Sequence, residues 1–185
     1  MKALFTSATL LASLAACAGA PKEEAAPAAA PAAAAPAEAP KPVLLSACVN
    51  AVAAAKPGAI TELDGLDRGG KELYEFEVKG TDGKEWEVVC DPSTGTVVET
   101  EEEVKEAAFK GKAKVSRADA EKAAQAVAAG KVEEIDFEVE ADGKLTYEIE
   151  IVSADGKRHE IEIDAESGQV VEHDMETYEI GDDGD

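Results

Sequence analysis

Residues 71–99, KELYEFEVKGTDGKEWEVVCDPSTGTVVE, and residues 144–172, KLTYEIEIVSADGKRHEIEIDAESGQVVE, superimpose without a gap at an offset of 73. Tyr74 meets Tyr147, Asp82-Gly83-Lys84 meets Asp155-Gly156-Lys157, Asp91 meets Asp164, and Gly95 meets Gly168. Turn glycines and apolar alternation kept together mark an internal repeat. Tyr74, Phe76 and Val78 alternate with charged residues, as do Trp86, Val88 and Cys90, so each run reads as a strand with one apolar face. Tyr147, Ile149 and Ile151, then His159, Ile161 and Ile163, repeat the pattern. Asp-Gly closes the first hairpin of each copy, because glycine accepts the positive φ of such a turn, and Asp-x-x-x-Gly closes the next.

Outward from these hairpins, a further strand precedes each one. It is clear around Ile135, Phe137 and Val139 and weaker around Ile60 and Leu63. Before it, Leu44, Leu45, Cys48, Val52 and Ala55 recur at helical spacing up to Pro57-Gly58. In the second copy Ser116 and Asp119 open a helix whose inner face would be Ala120, Ala123, Ala124 and Val127, ended by Gly130. The expected fold class is therefore α+β: two tandem units, each one helix on a small antiparallel sheet of three to four strands. The units span residues 43–100 and 114–175. Residues 101–113, rich in Glu and Lys, read as a short helical or flexible joint, and residues 176–185 as an acidic, disordered tail.

The small-residue helix ending near glycine, then Tyr-Glu-Phe-Glu-Val, Asp-Gly and Asp-Pro-Ser-Thr-Gly-Thr-Val-Val, resembles the PepSY domain family. Copy two matches with Tyr-Glu-Ile-Glu-Ile, Asp-Gly and Asp-Ala-Glu-Ser-Gly-Gln-Val-Val. The resemblance implies the helix-on-sheet fold and a binding role, restraining or occupying peptidases, and it brings no catalytic residues. Cys90 departs from the β-branched residue usual at its place, and Ala129-Gly130 from Pro-Gly.

Residues 1–16 have the layout of an export signal: Lys2, an apolar run, then small residues. Leu14-Ala15-Ala16-Cys17 resembles the lipobox of bacterial lipoproteins, which implies cleavage before Cys17 and acylation of that residue. The alternative is ordinary cleavage after Ala20, which leaves Pro21 directly behind the cut. An acylated Cys17 makes the lipid bilayer a partner and the cell envelope the address, since more than one acyl chain gives stable anchoring. In a host with two membranes, Ala18 resembles the sorting pattern for the outer one, facing the periplasm. Residues 17–42 carry prolines too closely spaced for a helix, an extended Ala/Pro tether of roughly 75 Å at most.

Of the three cysteines, Cys17 is taken by lipid, and Cys48 and Cys90 sit on facing surfaces of one copy. In an oxidising compartment they are expected to form a disulfide, the alternative being two buried thiols.

The chain carries 18 Lys and Arg against 40 Asp and Glu, a net charge of −22, which repels nucleic acid. No His-Glu-x-x-His or Gly-x-Ser-x-Gly motif occurs, and neither His159 nor His173 has a ligand at metal-binding spacing. His159 takes the place of Trp86 in the repeat and reads as structural. The expectation is a chain that is not an enzyme and uses no cofactor. The second half is the acidic one: residues 43–100 hold 11 acids and 5 bases, residues 101–185 hold 26 and 10. Glu138, Glu140, Glu148, Glu150, Glu160 and Glu162 occupy what read as outward sheet positions, with like charges opposed across strands. Lys144, Lys157 and Arg158 offset this in part; a divalent cation or a basic partner is one account of the remainder, and a merely solvated face is the other. Two functions follow: a membrane-anchored extracytoplasmic binding module acting on a peptidase or another envelope protein, or a cation-binding or structural envelope lipoprotein.

Overall fold

The computed structural model describes residues 43–181; the signal segment, Cys17 and the tether lie outside the described residues, as do the last four residues of the tail. The elements run α1 (Val43–Ala55), β1 (Gly58–Arg68), β2 (Lys71–Gly80), β3 (Glu85–Asp91), β4 (Thr96–Val97), β5 (Glu101–Glu103), α2 (Glu106–Phe109), α3 (Arg117–Val127), β6 (Gly130–Glu140), β7 (Leu145–Ser153), β8 (Arg158–Asp164) and β9 (Val170–Gly181). None of the described helices is long and apolar enough to cross a membrane.

All the strands join one nine-stranded antiparallel sheet, so the expected pair of separate helix-on-small-sheet α+β units does not form and the architecture is mostly β. The order β2-β1-β9-β8-β7-β6-β5-β3, with β2 pairing β3 as well, closes eight of the strands into a ring, and β4 is a short flap on β3. Two seams make the closure. β5, whose residues were expected in a loose joint, pairs Glu102 with Trp86 on one side and with Val139 on the other. β9 does not stop at residue 175: it pairs Tyr178 with Gly65 and Ile180 with Leu63, so the start of the expected disordered tail is strand. A three-stranded sheet standing alone exposes two rows of unpaired backbone groups, and pairing each copy's edges with the other's removes both.

The helices pack on the outside of the ring. Ser116 caps α3, its hydroxyl oxygen accepting from the Asp119 backbone N–H, and Ala120 and Ala124 are the buried residues that let this helix lie close to the sheet. Val127, expected on the inner face, is 44 % exposed. Against α3 stand Ile149, Ile151, Ile161 and Ile163, all fully buried, and each such side chain stabilises the fold by about 1.5–3 kcal/mol. The equivalent core under α1 holds Val52, Phe76, Val78 and Val88. The Asp-x-x-x-Gly turns have a local cause: the Asp91 and Asp164 carboxylates accept the backbone N–H of Ser93 and Ser167, and Gly95 and Gly168 take φ of 69° and 73°.

Cys48 of α1 and Cys90 of β3 form a disulfide, with Cα atoms 5.7 Å apart, that ties helix to sheet across a separation of 42 residues. Reducing it should lower the unfolding free energy by about 2–4 kcal/mol. Urea titrations of the full chain with and without reductant check this, and coincident midpoints would refute it.

Candidate functional site

In β1–β3 and β6–β8 one set of side chains joins the core under a helix, and the alternate set goes into the ring. In this chain that second set is acidic. The interior receives Glu62 and Asp64 from β1, Glu75 and Glu77 from β2, Glu87 from β3, Glu101 from β5, Asp136 and Glu138 from β6, Glu148 and Glu150 from β7, Glu160 and Glu162 from β8, and Asp174 from β9. Glu138 is fully buried, and Glu75, Glu87, Glu101, Glu148, Glu160 and Glu162 are 3–8 % exposed. A space of about 30 Å³, the room of one or two water molecules, lies among Glu75, Glu87, Glu148 and Glu160.

The carboxylates fall into three linked trios, within each of which oxygens lie within 4.8 Å of one another: Glu75–Glu148–Glu160, Glu87–Glu138–Glu148 and Glu101–Glu138–Glu162. Glu148 and Glu138 are the shared members. Every trio draws on both copies of the repeat, and Glu75 and Glu148, like Glu87 and Glu160, are repeat equivalents. The copies differ nearby, where Leu66, Leu73 and Val89 form a small apolar cluster at the positions answering to Glu138, Thr146 and Glu162.

Burial raises the pKa of these carboxyls, and the neighbouring carboxylates raise it further. Glu75, Glu87, Glu138, Glu148 and Glu160 are pushed well above the ordinary range. Glu162 rises to about 8 and Glu101 to about 10. Glu150 rises to about 7 by burial, although Arg158 pulls it back. Glu87 and Glu138 hydrogen-bond each other, a contact that requires a shared proton. Thr146 Oγ1 donates to Glu138 Oε2 at 3.5 Å, but Glu138 Oε1 and Glu87 Oε2 have no N–H or hydroxyl partner among the described residues.

Two arginines answer part of this charge. Arg68 pairs with Glu99, Glu172 and Asp174, and Arg158 with Glu133, Glu150, Glu176 and Glu179. Lys144 and Lys157, expected to offset the acidic face, instead pair with Asp142 and Asp155 in the hairpin turns.

The six glutamates singled out in the sequence are thus not an outward, solvated face. Five of them point into the barrel beside the first copy's acids, and Glu140 is only partly buried, accepting from Thr146 Oγ1 at 3.3 Å. Sequence reasoning missed Glu62, Asp64, Glu75, Glu77, Glu87, Glu101, Asp136 and Asp174. The repeat itself could have found Glu75, Glu77 and Glu87, since they are the counterparts of Glu148, Glu150 and Glu160. His159 Nδ1 and His173 Nε2 lie 3.1 Å apart on the outside. Outside the ring, Phe109 packs edge-on against Tyr147 and Phe137, with ring centroids 4.7 and 5.3 Å away. These rings floor an open cleft of about 480 Å³ between α2 and α3, flanked by Lys110, Lys114 and Arg117.

A duplicated helix-and-hairpin unit closed into one ring, with carboxylates inside and helices outside, defines a tandem-repeat module. The chain belongs to the PepSY family: the model described as "Peptidase propeptide and YPEB domain" matches residues 43–101 and again residues 114–174. Among solved structures the chain is similar to a candidate lipoprotein from Clostridium difficile 630, at 23 % identity over 63 % of this chain and 81 % of that one. The TM-score is 0.32, which does not equate the two folds. No curated protein matches the sequence.

Proposed function

We propose that the protein is a lipid-anchored extracytoplasmic binding module that restrains a peptidase in trans. The observation that carries this reading is the family match over both halves of the chain, to a domain whose description is that of a peptidase propeptide. The lipobox at Leu14-Ala15-Ala16-Cys17 supports acylation of Cys17 and a place on the envelope, the outer membrane where the host has two. The ring turns most of its carboxylates inward, so the cleft beside Phe109, where Lys110, Lys114 and Arg117 pair with Glu106, Glu166 and Glu121, is the surface we assign to an aromatic segment of a partner.

The test uses the full mature chain added to detergent extracts of the organism's envelope, with casein hydrolysis as the readout. The expected result is inhibition of a peptidase that also co-purifies with the chain, and loss of both effects with Lys110→Glu plus Arg117→Glu. Unchanged hydrolysis at a large excess of the chain would overturn the reading. In parallel, Cys17→Ala should shift the protein from the membrane to the soluble fraction.

A further inference from the structure

We infer that the interior of the barrel is a divalent-cation site, in which Glu87, Glu138 and Glu148 ligate one calcium ion between the two repeats. The three side chains come from β3, β6 and β7, and their oxygens already stand within 4.8 Å of one another. What sets them apart from an ordinary acidic cluster is the pair Glu87 Oε2 and Glu138 Oε1, which receive no N–H or hydroxyl donor among the described residues although Glu87 is 6 % exposed and Glu138 not exposed at all. Two buried carboxyls with no outside donor can be relieved only by a proton held between them or by a cation, and a bound cation takes the proton's place.

The donor chemistry selects the ion. All ligands are carboxylate oxygens, which suits hard cations and not the metals that favour nitrogen or sulfur. Calcium takes six to eight oxygens in flexible geometry, mono- or bidentate, whereas magnesium demands a near-ideal octahedron and keeps several waters. Three glutamates can supply up to six oxygens, and the adjoining space of about 30 Å³ admits one or two waters at most. That is a calcium site. Sharing of Glu138 with Glu101 and Glu162, and of Glu148 with Glu75 and Glu160, surrounds the ion with a second layer of carboxyl groups. Because Glu87 belongs to the first repeat and the other two to the second, the ion acts as a clamp across the ring.

The experiment is equilibrium dialysis of the chelator-stripped full chain against CaCl₂ at pH 7.5, with thermal melts in parallel. We expect saturable binding and a Tm rise of roughly 5–10 °C at millimolar calcium. Glu87→Gln with Glu138→Gln should abolish the high-affinity ion and the calcium-dependent part of the Tm. The same variant, melted in EDTA, should be at least as stable as the parent, which shows that it folds. Glu140→Gln, at a partly buried position outside the trios, should leave binding unchanged. Absence of saturable binding, or equal binding by parent and double variant, overturns the site; saturation by MgCl₂ with calcium inert overturns the choice of ion.

Discussion

Melted in EDTA, the protein should be most stable near pH 4–5 and lose stability steadily as the pH rises to about 8, the reverse of an ordinary acidic protein. The cause is the set of interior carboxyls held protonated by burial. Asp64, Asp136 and Glu162 are raised to about 8, Glu150 to about 7 and Glu101 to about 10. Between the ordinary carboxylate range and those values the folded chain holds more protons than the unfolded one. The stabilisation is therefore complete below about pH 4 and is lost as the pH climbs through the folded values. Each excess proton changes stability by about 1.4 kcal/mol per pH unit, and several groups titrate together. A Tm that stays flat or rises between pH 5 and 8 would falsify the buried, protonated interior.

Phe109→Ala should cost about 3–5 kcal/mol, as large as any core truncation in the chain. Phe109 is 1 % exposed and lies outside both stretches matched by the family model. Its ring is wedged against Phe137 and Tyr147, so removing it leaves a cavity under α2 that the short helix cannot collapse to fill. Chemical denaturation followed by near-ultraviolet dichroism measures the loss. A change below 1 kcal/mol would mean that α2 is a surface connector and not part of the core. Residues 101–113 thus supply a barrel strand and a core ring, not a joint.

The hairpins, helices α1 and α3, the turn chemistry and the disulfide pairing were legible in the sequence because each depends on contacts within one repeat. Ring closure was not. Glu101-Glu102-Glu103 has no apolar alternation to announce a strand, and residues 176–181 read as the start of a solvated tail. The acidic face was located by its period, but a period of two says only which residues share a face, not what covers it. One signal was present. Leu66, Leu73 and Val89 stand on the same strand faces as the acids, where a half-solvated sheet has no use for them, and such two-sided hydrophobicity marks a strand buried on both sides.

The seams β5–β6 and β9–β1 are equivalent under the repeat, so the ring has an approximate dyad. A solitary unit with the same edges has what it needs to find a second copy of itself and complete the same enclosure as a homodimer. Joining the halves on one polypeptide turns a concentration-dependent encounter into an intramolecular one, and it frees each half to diverge where identical partners could not. The greasy patch in one half and the matching Glu138, Thr146 and Glu162 in the other are that divergence.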